Sequence, residues 1–395
     1  MKPCKRWDIE WKQTVREPPS SSRWAGTAGW ITTTLVWQGG LVGAGMDVVL
    51  HTCDETSIPQ ETTFEVRQTF KGIYGKSASW KRGLRYLRAS VVAMLSAVSE
   101  RRNIVHFHFF HVGALQAMQV LLARLLMRTV VITAHDVESF VATLEVPFMS
   151  RLAYRLAHRV IAHNRISRDE LQARLQVPEH KIAVIPHGNY MHALRPVPPV
   201  EIARERLSIP PHAKVLLFFG QIKEVKGLDV LLRAMPAVLH RHPDAVLLIA
   251  GKPWKTDFSG YQATIERLGI QAACYAHIRY IPDEEVPFYY GVADLVVLPY
   301  RHIYQSGVVL MAMSYGKAVL VSDIPGMLEV VQDGETGFVF RSGDEADLAE
   351  RACKLFADPE SVESISGRGQ QLMVEKFGWA VIGQQTKAVY EKLGI

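Results

Sequence analysis

Cysteine is scarce. Cys4, Cys53, Cys274 and Cys353 are the only four in 395 residues, they stand far apart, and none forms a Cys-x-x-Cys pair or a Cys/His cluster. That spacing excludes a thiol zinc site and a dense disulfide framework, and it points to a reducing, cytoplasmic setting. A long apolar run is also missing. The best candidate, residues 112–127, is interrupted by Gln116, Gln119 and Arg124, so no run of about 18 apolar residues is there to cross a bilayer. The basic start, MKPCKRWDIEWK, is not followed by the apolar core of a signal peptide. Repeats and low-complexity tracts are absent. Gly75-Lys76-Ser77 has the ending of a P-loop, but its first glycine would fall at Phe70, so no phosphate cradle of that kind forms. Without a P-loop, Asp344-Glu-Ala-Asp347 reads as the start of a helix rather than a helicase box. No Asp-x-Asp pair follows a strand, so neither a metal nor a cofactor is implied.

What is present is an ordinary globular composition, long enough for two hydrophobic cores. Its charge is uneven. Residues 1–190 hold 24 Lys/Arg against 15 Asp/Glu, and residues 191–395 hold 21 against 24. A basic first half suits an anionic partner, whether lipid, nucleic acid or a pyrophosphate-linked acceptor. No nucleic-acid-binding motif accompanies it, so nucleic acid is not expected.

Short apolar runs alternate with helical stretches. Strands are expected at 104–107, 130–134, 159–163, 182–185, 215–219, 245–250, 278–281, 295–299, 318–322 and 337–340. Residues 8–15 and 47–50 are weaker candidates, with a helix over 30–41 between them. Uniformly apolar strands spaced by helices imply parallel sheets covered on both faces, hence an α/β protein. Gly227–His240 places Leu228, Leu231, Leu232, Met235 and Leu239 on one helical stripe. Residues 147–157 and 167–175 are also expected to be helical. The proline-rich stretch Leu194–Val200 marks a linker, which divides the chain into domains 1–195 and 196–375, with a final helix over 376–395.

Two segments carry chemistry. In the first, a strand ends at Gly220, Gln221 follows, and a loop bearing Lys223 and Lys226 leads through Gly227 into a helix. A glycine turn before a helix N-terminus is an anion site, because free N–H groups and the helix dipole face the loop. The plain alternative is a strand-to-helix turn with solvated lysines. In the second, Gln305-Ser306-Gly307 precedes an apolar helix. Ser306 can cap that helix and Gly307 can let a ligand approach the backbone; a cap and nothing more is the alternative.

In this order, about 80 residues apart, the two segments resemble the donor domain of the retaining glycosyltransferases of family 4 (group 1). Ala312-Met-Ser-Tyr-Gly316, Asp323-Ile-Pro-Gly326, Glu329-Val-Val and Asp333-Gly-Glu-Thr-Gly-Phe338 extend the likeness. Ala134-His135-Asp136 resembles the family's histidine loop facing the donor sugar. Ile185-Pro-His-Gly188 is similar to the segment closing the acceptor domain, and Phe377-Gly-Trp379 through Tyr390 is similar to the helix that returns to it. The resemblance covers roughly residues 100–395. It implies a GT-B fold, two Rossmann-like parallel-sheet domains facing across a cleft. It also implies transfer of a sugar from a UDP- or GDP-sugar to a saccharide or lipid-linked acceptor, with retention, in exopolysaccharide or glycolipid synthesis. The donor-binding set is then Gly220, Gln221, Lys223, Gly227, Gln305, Ser306, Gly307 and Glu329, and the catalytic set His135, Asp136 and Lys226.

Two departures stand out. Gln221 replaces the family's arginine, and its Glu-x7-Glu pair falls at Ile303 and Met311, which removes both carboxylates. These losses support a rival reading, a non-catalytic GT-B partner or activator of another transferase. Asp136 or Glu138 could serve as acid or base if the outcome is inversion. His106 and His108 share one strand face, but no carboxylate or cysteine joins them, so a metal is not expected there. Finally, residues 76–94 interleave Arg82, Arg85 and Arg88 with Trp80, Leu84, Tyr86 and Leu87. That pattern suits either a solvated helix face or a peripheral seat on the anionic inner face of the plasma membrane.

Overall fold

The computed structural model describes residues 9–12, 27–56, 58, 61–135, 147–254 and 257–394. Packing divides the chain into two compact units, Met1–Gly188 with Phe377–Ile395, and Asn189–Lys376. The division thus falls before the proline-rich stretch rather than at 195. The reason is local: the Asn189 side-chain amide donates to the Met373 carbonyl (2.7 Å), the Tyr190 N–H to Ser314 Oγ (3.2 Å), and Arg195 pairs with Glu284 (2.9 Å).

The first unit is a seven-stranded, wholly parallel sheet of β1 (Ile9–Lys12), β2 (Val49–Cys53), β3 (Glu65–Phe70), β4 (Ile104–Phe109), β5 (Thr129–Ala134), β6 (Arg159–Ala162) and β7 (Ile182–Val184), in the order β3-β2-β1-β4-β5-β6-β7. The second has six parallel strands: β8 (Lys214–Phe219), β9 (Ala245–Ala250), β10 (Cys274–His277), β11 (Leu295–Leu298), β12 (Val319–Ser322) and β13 (Phe338–Phe340). Their order is β10-β9-β8-β11-β12-β13. This is the doubly wound order in which the strand sequence reverses direction next to the first strand.

Right-handed crossovers sort the helices by direction of travel across the sheet. In the first unit the helices Ser79–Ser99, Ala114–Leu125, Pro147–Leu156 and Arg165–Leu175 lie on one face. Thr27–Gly43 and the returning helix Trp379–Glu391 cover the other. Alternation along β5 serves both layers: Val130, Ile132 and Ala134 enter one core, Val131 the other. In the second unit, helix Leu228–Arg241 buries Leu228, Leu231, Leu232 and Met235 against the sheet, the apolar stripe of the sequence.

Three expectations need correction. Residues 278–281 are not a strand; β10 lies four residues earlier, and the His277 carbonyl at its end accepts from both Gly251 and Arg279, which turns the chain away. β3 escaped notice because its sequence, EVRQTF, is that of a polar edge strand with mostly half-buried residues. The first helix, Thr27–Gly43, begins three residues before and ends two residues after the expected 30–41. Gly40 is where the returning helix crosses: a Cβ there would collide with the Trp379 carbonyl, and one on Gly383 with the Gly40 carbonyl. Two bare backbones in contact explain Gly40 and Gly383. Gly383→Ala is therefore expected to destabilise the first unit by about 1–3 kcal/mol, read as a lower urea midpoint with an unchanged slope.

Candidate functional site

The strand order of the second unit reverses between β8 and β11, which is where open α/β sheets bind ligands, beyond the carboxyl ends. Beyond β8 the chain passes through Gly220 (φ +99°), whose carbonyl lies where a Cβ on Gly251 would fall. The loop after β8 is stitched to the loop after β9 by Ile222 N–H to Lys252 O (3.0 Å) and Trp254 N–H to Ile222 O (3.0 Å). A single 3-10 turn, Glu224–Lys226, then leads to Gly227, which is left-handed (φ +65°) and pressed so closely on the Pro299 carbonyl that no side chain fits. Arg301 locks this turn to the end of β11. Its N–H donates to Val225 O (2.8 Å), and its guanidinium donates to Glu224 O (2.9 Å) and to both oxygens of Asp229 (2.8 and 2.6 Å).

These constraints place Lys226. A Cβ on Gly220 would lie 3.3 Å from Lys226 Nζ and 3.2 Å from Val308 Cγ2, so the lysine and the start of helix Gly307–Ser314 converge on one glycine. Nζ sits 5.2 Å from the Tyr300 ring centroid, a cation–π contact. Among the described residues it has no carboxylate partner. Burial lowers its pKa from 10.5 to about 8, because taking an ammonium out of water disfavours its charged form. Ser306 is buried and its Oγ accepts from Val309 N–H (3.3 Å), which caps the helix. The first amides of this helix have no intrahelical acceptor, so its positive end faces the lysine's corner. Tyr190 Oη closes the far side, 2.8 Å from where a Gly307 Cβ would stand.

Gly220, Lys226, Gly227, Ser306 and Gly307 are thus gathered at one place, with Gln221 and Gln305 adjoining in sequence. The Lys223 ammonium rests over the Trp254 ring at 5.0 Å. Glu329 ends the short helix Pro325–Leu328, whose Gly326 abuts the Ile303 carbonyl, so its segment backs the Ile303–Tyr304 turn. Sequence reasoning missed Tyr300, Tyr190, Arg301 and Asp229. Tyr300 had a usable signal, since it follows the end of an apolar strand at the point of reversal.

In the first unit, adjacent strand ends bring histidines together, because Phe109 pairs with Ala134 and Ala134 with Ala162 in register. His163 Nδ1 lies 3.1 Å from the Ile185 carbonyl and can only donate to it. Burial drops the His163 pKa to about 3, so the ring is neutral and its Nε2 must accept, from His135 Nδ1 at 3.0 Å. One carbonyl thereby sets the His163 tautomer and puts a proton on His135 Nδ1. His135 Nε2 lies 2.9 Å from His108 Nδ1. His135 is stacked on Phe110 (4.5 Å) and both its ring nitrogens are taken by histidines. His135, expected to face a donor sugar, stands as the middle link of this buried chain. His106 stacks on His108 and bonds Tyr390 Oη (2.5 Å) and Thr133 Oγ1 (2.7 Å). His163 was legible too, since it follows Ala162 as His135 follows Ala134. Asp136 and Glu138 lie outside the described residues. Among the described residues no group of three or more His, Cys, Asp or Glu is placed to hold a metal.

Of the basic helix residues, Arg82 donates to Gly75 O (3.0 Å) and Arg85 to Gly72 O (2.9 Å), while Arg88 is exposed. No helix among the described residues is long and apolar enough to cross a membrane.

The depressed Lys226 pKa carries a sign. Between pH 8 and 10.5 the unfolded chain keeps a proton that the folded chain has released, so stability rises with pH across that window. Below pH 8 the charged side chain is a net cost. Lys226→Met is expected to be more stable than the parent by about 1–3 kcal/mol at pH 7, with the gap closing toward pH 10.5, as measured by chemical denaturation.

Comparison with known proteins agrees with this geometry. Residues 199–372 match the family described as "Glycosyl transferases group 1" and residues 34–189 match "Glycosyltransferase Family 4", so the likeness begins well before residue 100. The D-inositol 3-phosphate glycosyltransferase of Streptomyces avermitilis is 31% identical over 244 residues, 59% of this chain and 52% of that protein. The alpha-D-kanosaminyltransferase of Streptomyces kanamyceticus is 25% identical over 348 residues, 82% of this chain and 86% of that one. The chain spans about half the length of the inositol-phosphate relatives it matches. Among solved structures, Anabaena Alr3699/HepE in complex with UDP and glucose superposes with a TM-score of 0.73 at 18% identity, covering 98% of this chain and 100% of that one. Sucrose-phosphate synthase from Thermosynechococcus elongatus gives 0.72 at 19%, covering 98% and 99%. At such identities the structural likeness is one of fold. With the two family matches falling in this order on two parallel-sheet units, the chain belongs to the group 1 glycosyltransferases, of GT-B fold.

Proposed function

We propose that this chain transfers a sugar from a UDP- or GDP-sugar to a saccharide or lipid-linked acceptor, with retention of anomeric configuration, in exopolysaccharide or glycolipid synthesis. The observation that carries the reading is Lys226: a desolvated ammonium without a carboxylate partner among the described residues, beside the amino end of helix Gly307–Ser314 at the strand-order reversal. A structure holds an unpaired, poorly hydrated cation only at a cost, and a bound diphosphate removes that cost. As the bond from the anomeric carbon to the β-phosphate oxygen breaks, negative charge grows on the phosphate. Fixed donors already in place stabilise it without reorganising. The complex of the structurally similar Anabaena protein with UDP and glucose supports a nucleotide-sugar donor.

The rival is a GT-B protein that binds a partner transferase and no longer turns over. It is favoured by the apolar Ile303 and Met311, which stand where the family has carboxylates. Titration calorimetry with UDP and GDP separates the two readings. We expect one of them to bind, with Lys226→Met weakening it by about 2 kcal/mol, roughly thirtyfold. Affinity should also fall as pH rises past about 8, where the free lysine loses its proton. Absence of binding by either nucleotide, or binding indifferent to Lys226, would defeat the proposal.

A further inference from the structure

We infer that the outer face of three neighbouring helices in the first unit is a docking surface for an anionic lipid bilayer. The sequence pointed only to one basic helix; the structure shows a broader and mainly apolar face. On helix Ser79–Ser99 the buried positions, Tyr86, Ala89, Ala93 and Ala97, form the stripe toward the sheet. A second stripe, Trp80, Leu84, Val91, Leu95 and Val98, recurs at helical spacing within an arc of about 60°, yet all five are exposed, Trp80 by 68%. The next helix, Ala114–Leu125, packs alongside through Tyr86 Oη to Gln119 (2.5 Å) and Gln119 to Ser90 (2.9 Å). It too presents Met118, Leu121 and Leu125 to solvent, Leu125 by 71%. Helix Pro147–Leu156 adjoins it on the same sheet face and adds Phe148. Contiguous exposed apolar surface of this kind is rare on a protein with no partner for it.

Charge selects the partner. None of the three helices contains an Asp or Glu. Residues 71–135 carry ten Lys/Arg and one acid, Glu100, which is already paired with Arg67 and Arg102. On the first helix, Lys81, Arg85 and Arg88 project to one side of the apolar stripe; Arg124 and Arg151 are exposed on the other two. Apolar groups beside unopposed cations match the headgroup–acyl boundary of an anionic leaflet, where Trp80 has the amphipathic ring that favours it. Apposing a second copy would bring two positive faces together. Nucleic acid would meet leucine and valine rather than stacking aromatics.

The inference rests on the proposed sugar transfer only for its use, which is to hold the enzyme where a lipid-linked acceptor lies; docking itself requires no donor. The test is flotation of the full chain with vesicles of phosphatidylcholine alone and of phosphatidylcholine mixed with phosphatidylglycerol, alongside calorimetry with UDP and GDP. Binding is expected to the mixed vesicles, to weaken with added salt, and to fall at least tenfold when Leu84, Leu95 and Leu125 are all changed to Gln, with nucleotide affinity unchanged. Arg88→Gln with Arg124→Gln should reduce the preference for the anionic vesicles. Undiminished flotation of the triple leucine variant would overturn the inference. So would a parent dimer, seen by sedimentation, that the same three changes dissolve. Retained flotation without nucleotide binding would instead defeat the sugar-transfer reading and leave the docking surface standing.

Discussion

One ammonium group, held out of water where the second sheet reverses its strand order, sets the requirements that the surrounding structure meets. Lys226 cannot reach that place from an ordinary loop. The turn has to press its backbone onto Pro299, which leaves room only for a glycine at 227, and it has to be tied to β11, which Arg301 does through two carbonyls, an amide and Asp229. The same closeness brings Gly220 and Val308 against the lysine. A charge this poorly hydrated is unfavourable, which is why burial lowers the lysine's pKa.

The first unit solves a different problem. Its strand ends carry His108, His135 and His163, linked ring to ring, and His163, held neutral by burial, donates to a backbone carbonyl. Tyr390 of the returning helix bonds His106 at the edge of this chain, and the helix is seated by the Gly40–Gly383 crossing. The histidines, Trp37 and Trp379 therefore form an ordered polar-aromatic layer inside the unit.

The departures from the family pattern become easier to understand beside this geometry. With Ile303 and Met311 replacing the carboxylates, no glutamate is supplied at those two positions to compete for the lysine. Tyr300 beneath the ammonium and Tyr190 beside Gly307 add aromatic walls around the same corner. That corner combines one cation, a helix end and close backbone approach.

By themselves, the residues determined most of the strand set and the alternation of strand and helix, because buried parallel strands are uniformly apolar and helices carry their own period. They also marked the glycine-lysine loop and the Gln-Ser-Gly cap, because those chemistries are local. The polar edge strand β3 was hidden, since half-buried residues show no apolar run, and the end of β10 depended on a carbonyl claimed by a neighbouring loop. Where Lys223 points, which nitrogen of His135 is occupied, and which leucines of the three helices stay uncovered are questions of long-range contact. Only the tertiary structure decided them, because a side chain's partner, unlike its periodicity, is fixed by residues far away in the chain.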